Sequence, residues 1–169
     1  MSGLPPRGGM KTDNALATVA IVDDEPMVTT ALRAFLELEL PYRVVCFESP
    51  HAALEALARE PVQVVIADFM MPELDGIEFL RRVRESCPFA TRILLTGYAD
   101  KANAIRAINE VGLYYFLEKP WSNEQLQLIV RNGVERSELF TQLDARVSAL
   151  EAANRDLALL RRRLVEAFL

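Results

Sequence analysis

Residues 62–76 read VQVVIADFMMPELDG, and this stretch decides the fold. It begins with an apolar run about as long as one strand, and that run ends at Asp68. The proline and the Asp-Gly pair that follow are typical of a turn, and a helical pattern starts at Gly76. A strand that is apolar at nearly every position is typical of a parallel sheet covered on both faces. The stretch therefore predicts a buried strand with a carboxylate at its carboxyl end.

The same alternation of a short apolar run and a helical pattern occurs five times along the chain. We predict strands at residues 17–22, 44–47, 62–67, 93–95 and 114–117. Helices are expected to begin at Pro26, Pro50 and Gly76, after a cap at Asp100, and near Ser122. Five strands that alternate with five helices predict an α/β fold, a doubly wound five-stranded parallel sheet with helices on both faces.

Length and charge exclude several classes of protein. The chain has 169 residues and a net charge of −5, so the charge balance does not support direct nucleic-acid binding. No apolar run is long enough to cross a membrane, and the start of the chain lacks a secretory signal. We therefore expect a cytoplasmic protein with no membrane association. Residues 1–15 read as a flexible tail.

Polar residues follow four of the predicted strands. Asp23 and Asp24 come after the first, Asp68 after the third, Thr96 after the fourth and Lys119 after the fifth. The carboxyl ends of parallel strands meet at one edge of the sheet, where such folds bind their ligands. Three carboxylates there repel each other unless a cation lies among them, and Mg²⁺ prefers oxygen ligands. A carboxylate can also attack a phosphoryl group, whose charge a lysine and a hydroxyl would stabilise.

Four motifs carry a family resemblance. They are Val-Asp-Asp-Glu-Pro at residues 22–26, Asp-Phe-Met-Met-Pro-Glu-Leu-Asp-Gly at 68–76, Leu-Thr-Gly at 95–97 and Phe-Leu-Glu-Lys-Pro at 116–120. In this order they resemble the signature of response regulator receiver domains. The resemblance covers roughly residues 17–133 and implies a flavodoxin-like sheet of order 2-1-3-4-5. Members of the family are signalling modules rather than enzymes. The resemblance implies only slow self-phosphorylation and self-dephosphorylation for this chain.

The resemblance implies a role for each residue at the sheet edge. Asp68 matches the acceptor that a sensor histidine kinase phosphorylates, and Lys119 the lysine that binds the phosphate. Asp24 matches a direct Mg²⁺ ligand, and Asp23 a ligand that acts through water. The backbone carbonyl of Met70 matches the third protein ligand.

Two further positions match the family's switch pair. Thr96 corresponds to a hydroxyl that turns toward the phosphate, and Phe116 to an aromatic ring that follows it. Phe116 differs from a tyrosine in having no hydroxyl. The run at residues 94–100 and the Lys-Pro-Trp at 119–121 are similar to one receiver subgroup, whose members are often joined to cyclic-di-GMP phosphodiesterase or enhancer-binding domains.

Two other classes of protein use related features. A flavodoxin-type flavin binder needs a phosphate-cradling loop of Ser, Thr and Gly after the first strand, where this chain has Asp-Asp-Glu-Pro. A haloacid-dehalogenase-type phosphatase needs a second acid two residues after its nucleophile, and that position is Met70. Both are less favoured than a receiver.

The last predicted helix continues past the end of a receiver with a seven-residue repeat. No proline interrupts residues 122–169, which as one helix would extend roughly 70 Å. Apolar residues dominate positions a and d of the heptad, which is typical of a two-stranded coiled coil. This predicted seam consists of Phe140, Leu143, Val147, Leu150, Asn154, Leu157, Arg161, Leu164 and Phe168.

The seam predicts a parallel homodimer. An asparagine at an a position, here Asn154, selects a dimer and its register. We therefore predict a tail at residues 1–15, a receiver at 16–133 and a dimerisation helix at 134–169. Two interpretations stay open: the helix leads to an output domain absent from this chain, or the protein is a stand-alone dimeric receiver.

Overall fold

The computed structural model describes residues 16–97 and 101–169. The predicted tail at residues 1–15 and the predicted cap Asp100 lie outside the described residues. Within them, five parallel strands form one sheet in the order β2-β1-β3-β4-β5. The strands are β1 (Thr18–Val22), β2 (Arg43–Phe47), β3 (Val64–Asp68), β4 (Thr91–Thr96) and β5 (Tyr115–Glu118). The predicted α/β fold class and strand order are confirmed.

Among the same described residues, five helices connect and follow these strands. They are α1 (Pro26–Glu39), α2 (Pro50–Arg59), α3 (Gly76–Ser86), α4 (Lys101–Val111) and α5 (Asn123–Ala167). Local sequence accounts for several starts: Pro26 and Pro50 occupy the first turn, where a missing N–H costs nothing. The side chains of Asp75 and Ser122 accept hydrogen bonds from the first turns of α3 and α5.

Alternate strand residues point to opposite faces of the sheet and build two cores. Ala20, Val65 and Leu94 face one side, where they pack with apolar residues of α2, α3 and α4. Ile21 and Ile66 face the other side, where α1 and α5 cover them. Because both faces of the sheet are covered, the three central strands β1, β3 and β4 are buried at every position. This explains why polar and apolar residues do not alternate along them.

All predicted strand boundaries are correct to within two residues. The largest shifts, of two residues, are at the starts of β3 and β4; β3 begins at Val64 instead of residue 62 and includes Asp68 as its last residue. β4 is longer than predicted at its start, because Thr91 and Arg92 are also buried. Their hydroxyl and guanidinium groups bond backbone carbonyls, which allows polar side chains in a strand that is buried throughout.

The helix α5 belongs to two environments. Its first part packs on the sheet, and the last buried side chains are Val134 and Ser137. The small Gly133 permits close contact there, since a Cβ at this position would lie 3.1 Å from the Cγ2 of Thr91. The Thr91 hydroxyl donates to the Gly133 carbonyl at 2.7 Å. From residue 138 onward every residue is exposed.

None of the helices formed by the described residues combines the length and apolar character that a membrane span requires.

Candidate functional site

The candidate site lies at the carboxyl edge of the sheet, as predicted. Asp23 follows β1, whereas Asp68 and Thr96 are the last residues of β3 and β4, and Lys119 follows β5. Backbone bonds continue the sheet pairing to this edge: the Lys119 N–H donates to the Thr96 carbonyl at 2.8 Å. These side chains are therefore carried by neighbouring strands and need no long loop to meet.

Three carboxylates form a cluster at this edge. Asp23, Asp24 and Asp68 each offer a side-chain oxygen, and these oxygens all lie within 4.8 Å of one another. Asp23 is fully buried and Asp68 is 6 % exposed, whereas Asp24 is more accessible. Carboxylates this close repel each other and require a compensating positive charge.

Part of that charge comes from Lys119. Its Nζ lies 2.8 Å from Oδ1 of Asp68 and 3.8 Å from Oδ2 of Asp23. Burial lowers the pKa of Lys119, but the hydrogen bond and charge of Asp68, together with the charge of Asp23, outweigh it and raise the pKa above its ordinary value. The lysine is therefore charged at neutral pH and is held between two carboxylates.

One lysine does not fully compensate the cluster. Burial is the main cause that raises the pKa of Asp23 to about 6, and the charge of Asp68 adds to it. A hydrogen bond from the Glu25 N–H to Asp23 and the charge of Lys119 act in the opposite direction. Asp23 therefore holds its negative charge only weakly in this arrangement, and a further cation would stabilise the ionised form.

Two buried oxygens have no hydrogen-bond partner among the described residues. They are Oδ2 of Asp23 and Oγ1 of Thr96. Buried polar atoms are nearly always paired, so each of these atoms is suited to a ligand. A carboxylate oxygen suits a cation, and a hydroxyl suits a group with acceptor oxygens. The donor set, all oxygen, fits a hard divalent cation such as Mg²⁺.

Comparison with known proteins identifies the family. Residues 19–131 match the response regulator receiver domain. The chain belongs to the response regulator receiver family. Receiver domains of two-component systems take a phosphoryl group from a histidine kinase, and they bind Mg²⁺ at an acidic pocket.

Individual relatives agree with this assignment. The hydrogenase transcriptional regulatory protein HoxA of Cupriavidus necator is 43 % identical over 119 residues, which are 70 % of this chain and 24 % of HoxA. The C4-dicarboxylate transport transcriptional regulatory protein DctD of Rhizobium meliloti is 31 % identical over 147 residues, 87 % of this chain and 32 % of DctD. The chain thus spans about a quarter of the length of HoxA and about a third of the length of DctD.

A solved structure gives the same result. The signal receiver domain of an HD domain-containing protein from Pseudomonas fluorescens superposes with a TM-score of 0.69 at 33 % identity. The superposition covers 73 % of this chain and 98 % of that domain. The predicted resemblance to receivers is confirmed.

The receiver site also depends on a glycine that the sequence marks only as part of a turn. A Cβ at Gly76 would lie 2.2 Å from the backbone carbonyl oxygen of Asp68 and 2.8 Å from Cδ1 of Leu94. The Gly76 N–H donates to the Phe69 carbonyl at 2.9 Å. The loop after β3 is therefore folded tightly beneath the acidic cluster, and no larger residue fits without moving the backbone of Asp68.

The predicted switch pair lies on adjacent receiver strands. Leu94 and Thr96 of β4 pair with Phe116 and Glu118 of β5, respectively. Thr96 is fully buried, whereas Phe116 is partly buried and packs against the core on the side of α2, α3 and α4. The peptide between Lys119 and Pro120 is cis. Met70 lies in the loop after Asp68 with its side chain largely exposed.

Proposed function

We propose that this receiver accepts a phosphoryl group on Asp68 from a sensor histidine kinase. A carboxylate oxygen of Asp68 forms a bond to phosphorus, the P–N bond to the kinase histidine breaks, and its electron pair stays on the imidazole nitrogen. One observation carries the proposal: the carboxylate at the strand end is bonded to Lys119 at 2.8 Å and lies beside two more carboxylates. Lys119 neutralises charge on the transferred group, and the unpartnered Thr96 hydroxyl is free to bond it.

We propose Mg²⁺ as the cation of this site. The side chains of Asp23, Asp24 and Asp68 and the backbone carbonyl of Met70 would hold it, with Asp24 as a direct ligand and Asp23 acting through water. When bound, the ion supplies positive charge for the phosphoryl oxygens. The support is the all-oxygen donor set and the unpartnered Oδ2 of Asp23.

The two neighbouring aspartates should differ in their effect on metal binding. Asp24→Ala removes a direct ligand, whereas Asp23→Ala removes a carboxylate that acts through water and is itself costly to ionise. We expect the Mg²⁺ dissociation constant to rise more than about 100-fold for Asp24→Ala and about 10-fold for Asp23→Ala. Fluorescence of Trp121, the single tryptophan, measures the titration. Glu25→Ala removes an exposed carboxylate next to the cluster and serves as the control. Equal losses of Mg²⁺ affinity in Asp23→Ala and Asp24→Ala would contradict the assignment of a direct ligand and a water-mediated ligand.

The acceptor function can be tested with beryllofluoride, which mimics a phosphoryl group on a carboxylate. Calorimetric titration should give one site per chain with Mg²⁺ and no binding after the metal is chelated, because the carboxylates alone repel the anion. Flavin mononucleotide should not bind, since the loop after β1 carries Asp23 and Asp24 where a flavodoxin cradles phosphate. Binding of the flavin without binding of beryllofluoride would refute the receiver chemistry and support the alternative.

We propose that α5 continues as a dimerisation helix beyond the receiver. On this division the receiver spans residues 16–133 and the dimerisation helix residues 134–169, whose first turn to Ser137 still packs on the receiver core. The helix of 45 residues extends about 68 Å, longer than one small domain can cover. The apolar seam is exposed on one copy: Leu150 and Leu157 are each 63 % exposed. A second copy in parallel orientation buries these leucines, and Asn154 of each chain pairs in the core.

The proposed output follows from this arrangement. Phosphorylation turns Thr96 toward the phosphate and Phe116 inward, which reshapes the face formed by α4, β5 and α5. Because α5 continues into the dimerisation helix, the change passes to an output domain or partner beyond this chain. A stand-alone dimeric receiver that acts by protein–protein contact is the second candidate. In both cases the chain is a cytoplasmic signalling module rather than an enzyme, and it does not itself bind nucleic acid.

A further inference from the structure

Arg136 lies between two aromatic rings at the point where α5 leaves the receiver. Its Cζ is 5.2 Å from the ring centre of Tyr114 and 4.8 Å from that of Phe140. Both distances are within the range of a cation–π contact. Arg136 forms no ion pair with a carboxylate in the part of the chain that the structure describes, so these rings are its main partners there.

The two rings belong to different parts of the molecule. Tyr114 directly precedes β5, its N–H donates to the Arg92 carbonyl at 2.9 Å, and its ring packs against the core beneath α5. Phe140 is the first residue of the exposed seam. Arg136 therefore connects two places. One is the start of β5, the strand that ends beside Lys119, and the other is Phe140, the first core position of the dimerisation helix.

Arg136 also occupies a core position of the heptad repeat. It lies seven residues before Leu143, so it occupies a d position. In a parallel pair of helices, residues at d face their counterparts, and two guanidinium groups there repel each other. Arg161 meets the same repulsion inside the seam, but the leucine layers of Leu157 and Leu164 flank it on both sides. One heptad before Phe140, the a position is Gly133, which is already buried against Thr91 of its own receiver. Arg136 thus occupies the heptad core position that directly precedes the seam on the receiver side.

We propose that Arg136 is a positioning residue that sets where the interface between two copies begins. Its charge keeps the seam from closing past Phe140 toward the receivers, and its planar group links the ring of Phe140 to that of Tyr114. The occupant of the seam is a second copy of this chain, so the inference rests on the proposed dimerisation. The interface would begin at Phe140, and the two receivers would be joined only through their helices.

Substitution by leucine tests the limit of the interface. Arg136→Leu would add one more apolar d layer, whereas Arg155→Leu makes the same change at an outward b position. We expect the dimer dissociation constant, measured by sedimentation on the whole chain, to fall at least tenfold for Arg136→Leu, which is a lower limit for the gain from burying one leucine in each chain. Arg155→Leu should stay within about threefold of the wild type. Equal affinities for the two variants would overturn the proposal.

Substitution by lysine tests the contact with the rings. Arg136→Lys keeps the charge at the d position but loses the planar group, so the dimer dissociation constant should stay within about threefold of the wild type. Amide hydrogen exchange at residues 138–141 should become roughly twofold to fivefold faster, as the loss of an exposed cation–π contact implies. Arg155→Lys should leave these amides unchanged, and an unchanged rate in Arg136→Lys would refute the contact.

The exchange measurement also separates the two proposals. It reports a contact within one chain and needs no dimer. If the wild-type protein were monomeric, the dimerisation helix would be refuted. Faster exchange in Arg136→Lys would then still support the contact between Arg136 and Phe140. Unchanged exchange would refute that contact in addition to the dimer.

Discussion

Replacing Asp68 with asparagine should abolish phosphorylation of this protein. A small phosphodonor with Mg²⁺ should add one phosphoryl group to the wild type. Asp68→Asn should retain less than about 1 % of that incorporation, because the amide of asparagine does not act as a nucleophile toward the phosphoryl group. The fold should persist, since asparagine has nearly the same shape and can still accept a hydrogen bond from Lys119. Intact-protein mass spectrometry measures the added group.

The control is an acid-to-amide change in the same loop. Asp75 caps α3 through a hydrogen bond from the Glu78 N–H at 2.9 Å, and asparagine caps a helix about as well as aspartate. Asp75→Asn should therefore be phosphorylated at the wild-type level. Labelling of Asp68→Asn to the same extent as the wild type would show that the acceptor is another residue.

The double substitution Leu150→Glu with Leu157→Glu should convert the proposed dimer to monomers. In that dimer the two d layers would bury four leucines in the pair of chains, worth roughly 6–12 kcal/mol at 1.5–3 kcal/mol each. That is comparable to the whole free energy of a micromolar to nanomolar dimer, about 8–12 kcal/mol. The glutamates also place like charges opposite one another. Sedimentation of the unphosphorylated protein at tens of micromolar measures the state of association.

A matched control places the same two charges on the outer side of the helix. Ala152→Glu with Leu159→Glu changes two f positions, so this variant should remain a dimer. Both variants should bind beryllofluoride like the wild type, because the acidic cluster and the exposed seam involve separate residues. A wild-type monomer that dimerises only with beryllofluoride would contradict the proposed seam and place dimer formation in the receiver face instead.

The two ends of β5 lie beside different parts of the molecule. The strand ends beside Lys119 at the acidic cluster, and it begins next to Tyr114, whose ring contacts Arg136. A shift of β5 caused by Phe116 would reach both ends of a segment only four residues long. The contact between Tyr114 and Arg136 thus offers a short physical route from the proposed phosphorylation site to the first core residue of the proposed dimer.

Much of the fold follows from the sequence because the central strands are buried on both faces. Residues 64–67 must be apolar to lie inside such a sheet, and the run ends where Asp68 reaches the open edge. The carboxylates, Thr96 and Lys119 could be placed together for the same reason: parallel strands bring their carboxyl ends to one edge. Strand limits were less predictable, since Thr91 and Arg92 are polar yet buried through bonds to backbone carbonyls.

The sequence by itself determined the succession of helices and strands along the chain, the position of the acidic site and the seven-residue repeat. Each of these depends on the spacing of residues along the chain. Only the tertiary structure decided which atoms of that site lack partners and how closely Gly76 approaches Asp68. The same holds for Arg136, which reads as a charge on a helix until the fold brings Tyr114 beside it from 22 residues earlier. Such contacts depend on distances between elements that are remote in sequence, and no local pattern encodes them.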